Sequence, residues 1–273
     1  MKSICIYGKG GIGKSTISSN IACALAEKGL RVLLVGCDPK ADSTRNVYGK
    51  KIPTVLNTMF DKGEELSEED IVFKGYKGVD CVETGGPRPG DGCAGRGVVS
   101  AMNKMEELDV IDEDKYDMVI YDVLGDVVCG GFAMPIKESF AQKVYIVTTC
   151  DYMALYAANN ICTCIEKYGQ KGKVKLGGII LNERSVVTNS NIVENFARRV
   201  NANVIGRMPM DKAVTMAELK RIPLVEYDTE GVAAQSIRKI AENIWEDSIG
   251  TIPQSMTEDE LDSFFEEVRD EYR

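Results

Sequence analysis

The chain has 273 residues, 33 Lys plus Arg against 42 Asp plus Glu for a formal charge of −9, and no histidine. Without imidazole, Ser-His-Asp and Cys-His nucleophile pairs, His-bearing zinc sites and His proton shuttles are excluded, so general-base work falls to carboxylates, lysines or thiolates. Its 44% apolar and 27% charged residues are the composition of a soluble globular protein, its acidity runs against the counterion release that drives nucleic-acid binding, and no apolar run reaches the roughly 18 residues of a membrane helix.

In chain order, short β-branched runs at 4–7, 32–35, 79–82, 118–121, 144–148, 176–181 and 204–205 alternate with stretches of helical period at 15–27, 98–108, 153–168 and 192–200. This alternation predicts an α/β fold, a doubly wound and mostly parallel sheet with helices on both faces. Strands buried on both sides read as almost wholly apolar, as Val32-Leu33-Leu34-Val35 and Ile179-Ile180-Leu181 do. No linker or repeat divides the pattern, which reads as one domain over 1–273. An acidic helix is expected at 257–272, opened by the capping-box pattern Thr257-x-x-Glu260 and carrying Leu261, Phe264, Phe265 and Val268. It would dock on its own domain or on a second copy of the chain. The N-terminal Ser3-Ile4-Cys5-Ile6-Tyr7 lacks the cleavable pattern of a signal peptide, which points to the cytoplasm. Nine cysteines without any C-x-x-C fit a reducing compartment.

Directly after the first strand stands Gly8-Lys9-Gly10-Gly11-Ile12-Gly13-Lys14-Ser15-Thr16, which fits the phosphate-loop pattern G-x-x-x-x-G-K-[ST] in its strand-loop-helix setting. Backbone amides of such a loop approach phosphate oxygens, and the following helix presents its positive end. Lys14 is expected to reach the β- and γ-phosphates of ATP and Ser15 to ligate Mg²⁺. A metal-side carboxylate is expected at the end of a neighbouring strand. Asp122, after Met118-Val119-Ile120-Tyr121, and Asp38, which closes the run from Val32, stand at strand ends of that kind.

Lys9 adds to the general pattern. K-G-G-x-G-K-[ST] resembles the deviant Walker A ATPases, which implies that Lys9 crosses a dimer interface to the partner's nucleotide.

Three longer strings go further: Gly36-Cys37-Asp38-Pro39-Lys40-Ala41-Asp42-Ser43-Thr44, Gly92-Cys93-Ala94-Gly95-Arg96-Gly97, and Tyr121 to Pro135. Together with Ala154-Leu155-Tyr156-Ala157-Ala158-Asn159-Asn160, they resemble the nitrogenase iron protein family, the dinitrogenase reductases, from the first residues to about position 230. The resemblance implies a homodimer with one 4Fe-4S cluster between subunits, held by Cys93 and Cys129 of each. Two cysteines per chain suffice for a four-thiolate cluster on a two-fold axis. It also implies a first switch at 38–44, including Asp42, and a second at 122–132. Asp126 would position the attacking water three residues before the ligand Cys129. Asn182 and Asp211 match base-contacting positions, while Ala233 stands where the family has a glutamine and Gln235 lies nearby as a substitute.

The implied activity is ATP-dependent one-electron donation to a nitrogenase or nitrogenase-like catalytic metalloprotein, with ferredoxin or flavodoxin as electron source and no nucleic acid or membrane partner. Before the first cluster ligand, Gly86-Pro87-Arg88-Pro89-Gly90-Asp91-Gly92 departs from the family's usual string at Arg88 and Asp91. Charge complementarity steers encounter, so these changes bear on partner choice. Arg96 matches an arginine that contacts the partner and in some members is ADP-ribosylated. Service to a nitrogenase-like tetrapyrrole reductase is an alternative with the same parts. A spatial-positioning ATPase shares Lys9 and Lys14, but its membrane form calls for a basic amphipathic tail. An iron-sulfur assembly carrier normally has a C-x-x-C.

Overall fold

The computed structural model describes residues 1–87, 92–125, 140–169, 174–184 and 190–271. Its strands are β1 (Lys2–Tyr7), β2 (Val32–Cys37), β3 (Phe73–Lys74), β4 (Asp80–Glu83), β5 (Met118–Val123), β6 (Lys143–Thr148), β7 (Lys175–Asn182) and β8 (Val204–Met208). The described α-helices are α1 (Lys14–Glu27), α2 (Arg45–Tyr48), α3 (Val55–Lys62), α4 (Ala94–Glu107), α5 (Tyr152–Gly169), α6 (Ser190–Arg199), α7 (Lys212–Lys220), α8 (Leu224–Tyr227), α9 (Val232–Glu246) and α10 (Glu258–Glu271).

The strands form one sheet in the order β3-β4-β2-β5-β1-β6-β7-β8. Every pairing is parallel except that of β3 with β4. Each of the seven apolar runs coincides with a strand, save that Val79 precedes β4, and β1, β2 and β5 are buried almost throughout, as strands covered on both faces must be. Tyr121, Met102, Leu155, Phe196 and Phe264 belong to the core on one face, beneath α4, α5, α6 and α10. Ile6, Ile21, Leu224 and Ile240 belong to the other, beneath α1, α8 and α9. Each such side chain contributes roughly 1.5–3 kcal/mol by leaving water.

The acidic helix docks on its own domain, against α5 and α6. Thr257 N donates to Glu260 Oε2 at 2.8 Å and Glu260 N to Thr257 Oγ1 at 3.3 Å, which forms the capping box. Leu261 and Phe264 are buried, and Phe264 meets Phe196 edge-on at 6.2 Å between ring centres. Arg199 pairs with Glu267 at the rim, 2.6 Å apart. Among the described residues no helix is long and apolar enough to cross a membrane.

Neighbouring strands β1 and β6 send their chains in opposite directions, β1 through α1 to β2 and β6 through α5 to β7. Such a reversal opens a crevice beyond the carboxyl ends of the strands. The glycine-rich loop lies there.

Candidate functional site

Residues 8–13 turn the chain from β1 into α1. Gly13, the N-cap, has φ 98°, and no side chain caps the helix. The first amides of α1 are thereby left open to an anion. A methyl group on Gly13 would meet Asn182 Nδ2 at 2.5 Å, and that nitrogen donates to Ile12 O at 2.7 Å. Asn182, at the end of β7, props the loop from below.

The loop borders a cavity of about 690 Å³ that also touches Lys14, Ser15, Asp38, Asp42, Asn182 and Asp211. Lys14 is 6% exposed, so its ammonium is largely screened from bulk water and available to phosphate charge.

Asp122 is 1% exposed. Burial pushes its carboxyl up, against the opposing pull of the Lys14 ammonium and the Ser15 and Ser43 hydroxyls. Ser43 Oγ donates to Oδ2 at 2.6 Å, while Oδ1 is buried without a hydrogen-bond partner among the described residues. An open carboxylate oxygen near a serine hydroxyl fits a hydrated magnesium ion, which takes one or two protein oxygens and keeps its waters. Asp38 turns the segment 38–44, expected to be the first switch, by accepting Lys40 N at 2.9 Å, and Ala41 follows in the left-handed region at φ 50°. After β5, Gly125 packs on the phosphate loop so closely that a methyl group there would stand 1.7 Å from Gly8 O.

Lys9 is outside the set of residues lining the cavity. Its Nζ lies 3.6 Å from Asp151 Oδ1. Burial alone would raise the Asp151 carboxyl. The Thr149 hydroxyl, the Ala154 amide and the Lys9 ammonium together hold it below its ordinary value.

At the far end of the cavity, Asp211 caps α7 by accepting Ala213 N at 2.8 Å. Gln235 does not reach the cavity: its Nε2 donates to Glu230 O at 2.9 Å, and Ala233 is buried within α9. Three residues that sequence reasoning passed over stand at or beside the site. Glu218 accepts the Thr16 hydroxyl at 2.6 Å, and Arg184 donates to Gly11 O. Glu83, at the end of β4, accepts Thr44 N at 2.7 Å and Thr44 Oγ1 at 2.8 Å, and burial pushes its carboxyl up to about 8. Arg184 follows Asn182 by two residues at a strand end and could have been found from that position. Glu83 carried no local signal.

On the same edge of the sheet, Cys93 is the N-cap of α4. It is exposed, whereas every other described cysteine is buried or half-buried. A thiolate at a helix N-terminus is favoured by the helix dipole and nearby amides. Among the described residues no group of three or more Cys, Asp or Glu side chains gathers as a metal site, so a cluster ligated by Cys93 requires thiolates from elsewhere. The surface position of Cys93 fits a cluster shared between protomers. Arg96 is exposed one turn further along α4. Asp126, Cys129, Arg88 and Asp91 lie outside the described residues.

A family model for 4Fe-4S iron sulfur cluster binding proteins of the NifH/frxC family matches residues 2–271. The nitrogenase iron protein of Methanococcus voltae is 54% identical over 271 residues, 99% of this chain and 98% of that protein. Nitrogenase iron protein 2 of Methanothermobacter thermautotrophicus is 50% identical, covering 98% of this chain and 99% of the relative. Among solved structures, the cell division ATPase MinD of Pyrococcus furiosus superposes with a TM-score of 0.69 at 22% identity, over 89% of this chain and 98% of its own. Cobyrinic acid a,c-diamide synthase of Mycobacterium smegmatis, with a bound ATP analogue and magnesium, gives a TM-score of 0.63 at 18% identity, over 93% of this chain and 100% of its own. At such identities the likeness is one of fold.

Proposed function

Because the chain belongs to the NifH/frxC family of 4Fe-4S iron sulfur cluster binding proteins, we infer that it is an ATP-driven one-electron donor to the catalytic protein of a nitrogenase. The observation that carries this reading is the position of Cys93, which faces solvent at the N-terminus of α4 on the edge of the sheet that also bears the nucleotide cavity. The full-length likeness to nitrogenase iron proteins favours nitrogenase over a tetrapyrrole reductase as partner. The likeness to MinD is in fold and does not favour a spatial-positioning role.

When held by Cys93 and Cys129 of two protomers, a 4Fe-4S cluster supplies one-electron redox chemistry at a potential set by nearby amides and exposure. Glycine-loop amides and Lys14 bind the phosphates, and the dipole of α1 adds to their pull. Ser15 and Asp122 form the magnesium side. Lys9 leaves Asp151 to meet the phosphates bound by the partner protomer. Asp126 orients the attacking water, and Asp38 and Asp42 form the first switch around the γ-phosphate. Asn182 and Asp211 flank the base. Arg96 lies on the face that meets the catalytic protein, where a bulky modification blocks docking. Electrons come from a ferredoxin or flavodoxin in the cytoplasm.

Anaerobic purification followed by assay with a nitrogenase catalytic protein tests the reading. A brown dimer holding about four irons that supports MgATP-dependent substrate reduction upholds it. A colourless chain that hydrolyses ATP without passing electrons sinks it.

A further inference from the structure

We propose that Glu83 is a positioning residue through which the first switch, residues 38–44, moves residues 84–87 against α4, the helix that Cys93 caps. This rests on the reading above and names a joint within that machine.

Glu83 ends β4 and is wholly buried. Its Oε1 takes two hydrogen bonds from one residue of the switch, Thr44 N at 2.7 Å and Thr44 Oγ1 at 2.8 Å. Thr44 therefore cannot shift without breaking both bonds or taking Glu83 with it. The next residue along the switch, Ser43, gives its hydroxyl to Asp122 at 2.6 Å.

Residues 84–87 stay in close contact with β2, with the switch and with α4. Thr84 N and Oγ1 donate to Gly36 O at 2.9 and 3.0 Å. A methyl group on Gly86 would meet Pro39 Cβ at 2.6 Å, and one on Gly97 of α4 would meet Pro87 Cδ at 3.0 Å. Close packing of this kind passes on a displacement instead of absorbing it.

The second carboxyl oxygen supplies an independent observation. Oε2 is buried with no partner among the described residues, an uncommon state for a native side chain. A methyl group on Gly36 would stand 2.0 Å from Oε2 and 2.9 Å from Ser43 Cβ, so Ser43 and Oε2 face the same small gap. Oε1 accepts from Thr44, so the proton that burial leaves on Glu83 sits on Oε2, and once Ser43 is released from Asp122 its hydroxyl oxygen has Oε2–H as an alternative partner. Two buried carboxyls thus compete for one hydroxyl, which gives the switch two discrete arrangements of the kind that carry coupling.

The test compares wild type with Glu83→Leu, which removes both carboxyl oxygens, with Thr44→Val, which removes one of the two donors, and with the double variant. Hydrogen exchange of amides in 84–86 and 92–97 is measured with and without MgATP, with β1 amides as the control for folding, and MgATP affinity is measured by equilibrium dialysis. Wild type should change its exchange in these amides severalfold on adding MgATP. Glu83→Leu should bind MgATP within threefold of wild type yet lose at least half of that response, Thr44→Val should lose part of it, and the double variant should lose little more than Glu83→Leu alone. A full response in Glu83→Leu overturns the proposal, as do additive losses in the double variant. Should Glu83→Leu leave β1 unprotected, a full response in Thr44→Val overturns it instead. Wild type that purifies without iron sinks the electron-donor reading and leaves this measurement intact, whereas wild-type amides of these segments that ignore MgATP overturn the joint alone.

Discussion

Lys9 lies against Asp151, with 3.6 Å between Nζ and Oδ1, although the loop that carries Lys9 wraps a cavity this side chain does not line. Asp151 is itself fixed, capping α5 through Ala154 N at 3.1 Å. In a single protomer the lysine is thus parked outside its own nucleotide site. Lys9→Gln is expected to lower ATP hydrolysis at least tenfold, about 1.4 kcal/mol of activation free energy, while MgADP affinity stays within threefold. Phosphate release and ADP titration check this, and unchanged hydrolysis would remove the proposed role in the partner site.

Cys93→Ser should cut the iron content of anaerobically prepared protein from about four atoms per dimer to fewer than one and abolish the visible absorption, with a melting temperature close to that of iron-free wild type. The side chain is exposed and outside both cores. Iron analysis beside a thermal melt separates loss of a ligand from loss of the fold.

Glu83 should make stability fall with pH. Its carboxyl is pushed by burial from an ordinary value near 4.5 to about 8, so between those limits the folded chain keeps a proton that the unfolded chain has released. Stability therefore declines as pH rises through that window, by an amount on the order of 2–4 kcal/mol. Glu83→Gln should flatten the slope and gain on wild type toward pH 8. Urea titrations at pH 5 and pH 8 decide the matter, since parallel pH profiles for the two proteins would contradict the assignment.

Gly125→Ala forces a methyl group to within 1.7 Å of Gly8 O, a distance that only a shift of one loop can relieve. Overpacking of this order costs about 1–3 kcal/mol. MgATP affinity should drop about tenfold, and calorimetric titration that finds wild-type affinity would show that the two loops are not meshed.

Much of the architecture was legible because it follows from period and punctuation. Strands covered on both faces cannot hide their apolar runs, and the phosphate loop announces itself by glycine spacing. The edge strand Phe73–Lys74 was not legible, since two residues carry no period. α9 has buried apolar residues at 233, 234, 237, 240, 241 and 244, a helical period that is legible in the sequence. The pocket's far wall was harder to read. Glu218 and Arg184 act through contacts 202 and 173 residues away in sequence, and Glu83 owes its environment to Gly36 on another strand. Such neighbours are products of topology, and no local string encodes them.

The solvent-facing sulfur of Cys93 also bears on biogenesis. Neither core draws on that side chain, so under the proposed ligand role neither core needs the metal to be complete, and metallation is expected as a late event. An alkylating reagent would meet this thiol ahead of the other described ones, and under the proposed ligand role the extent of that labelling measures how much of a preparation still awaits its iron.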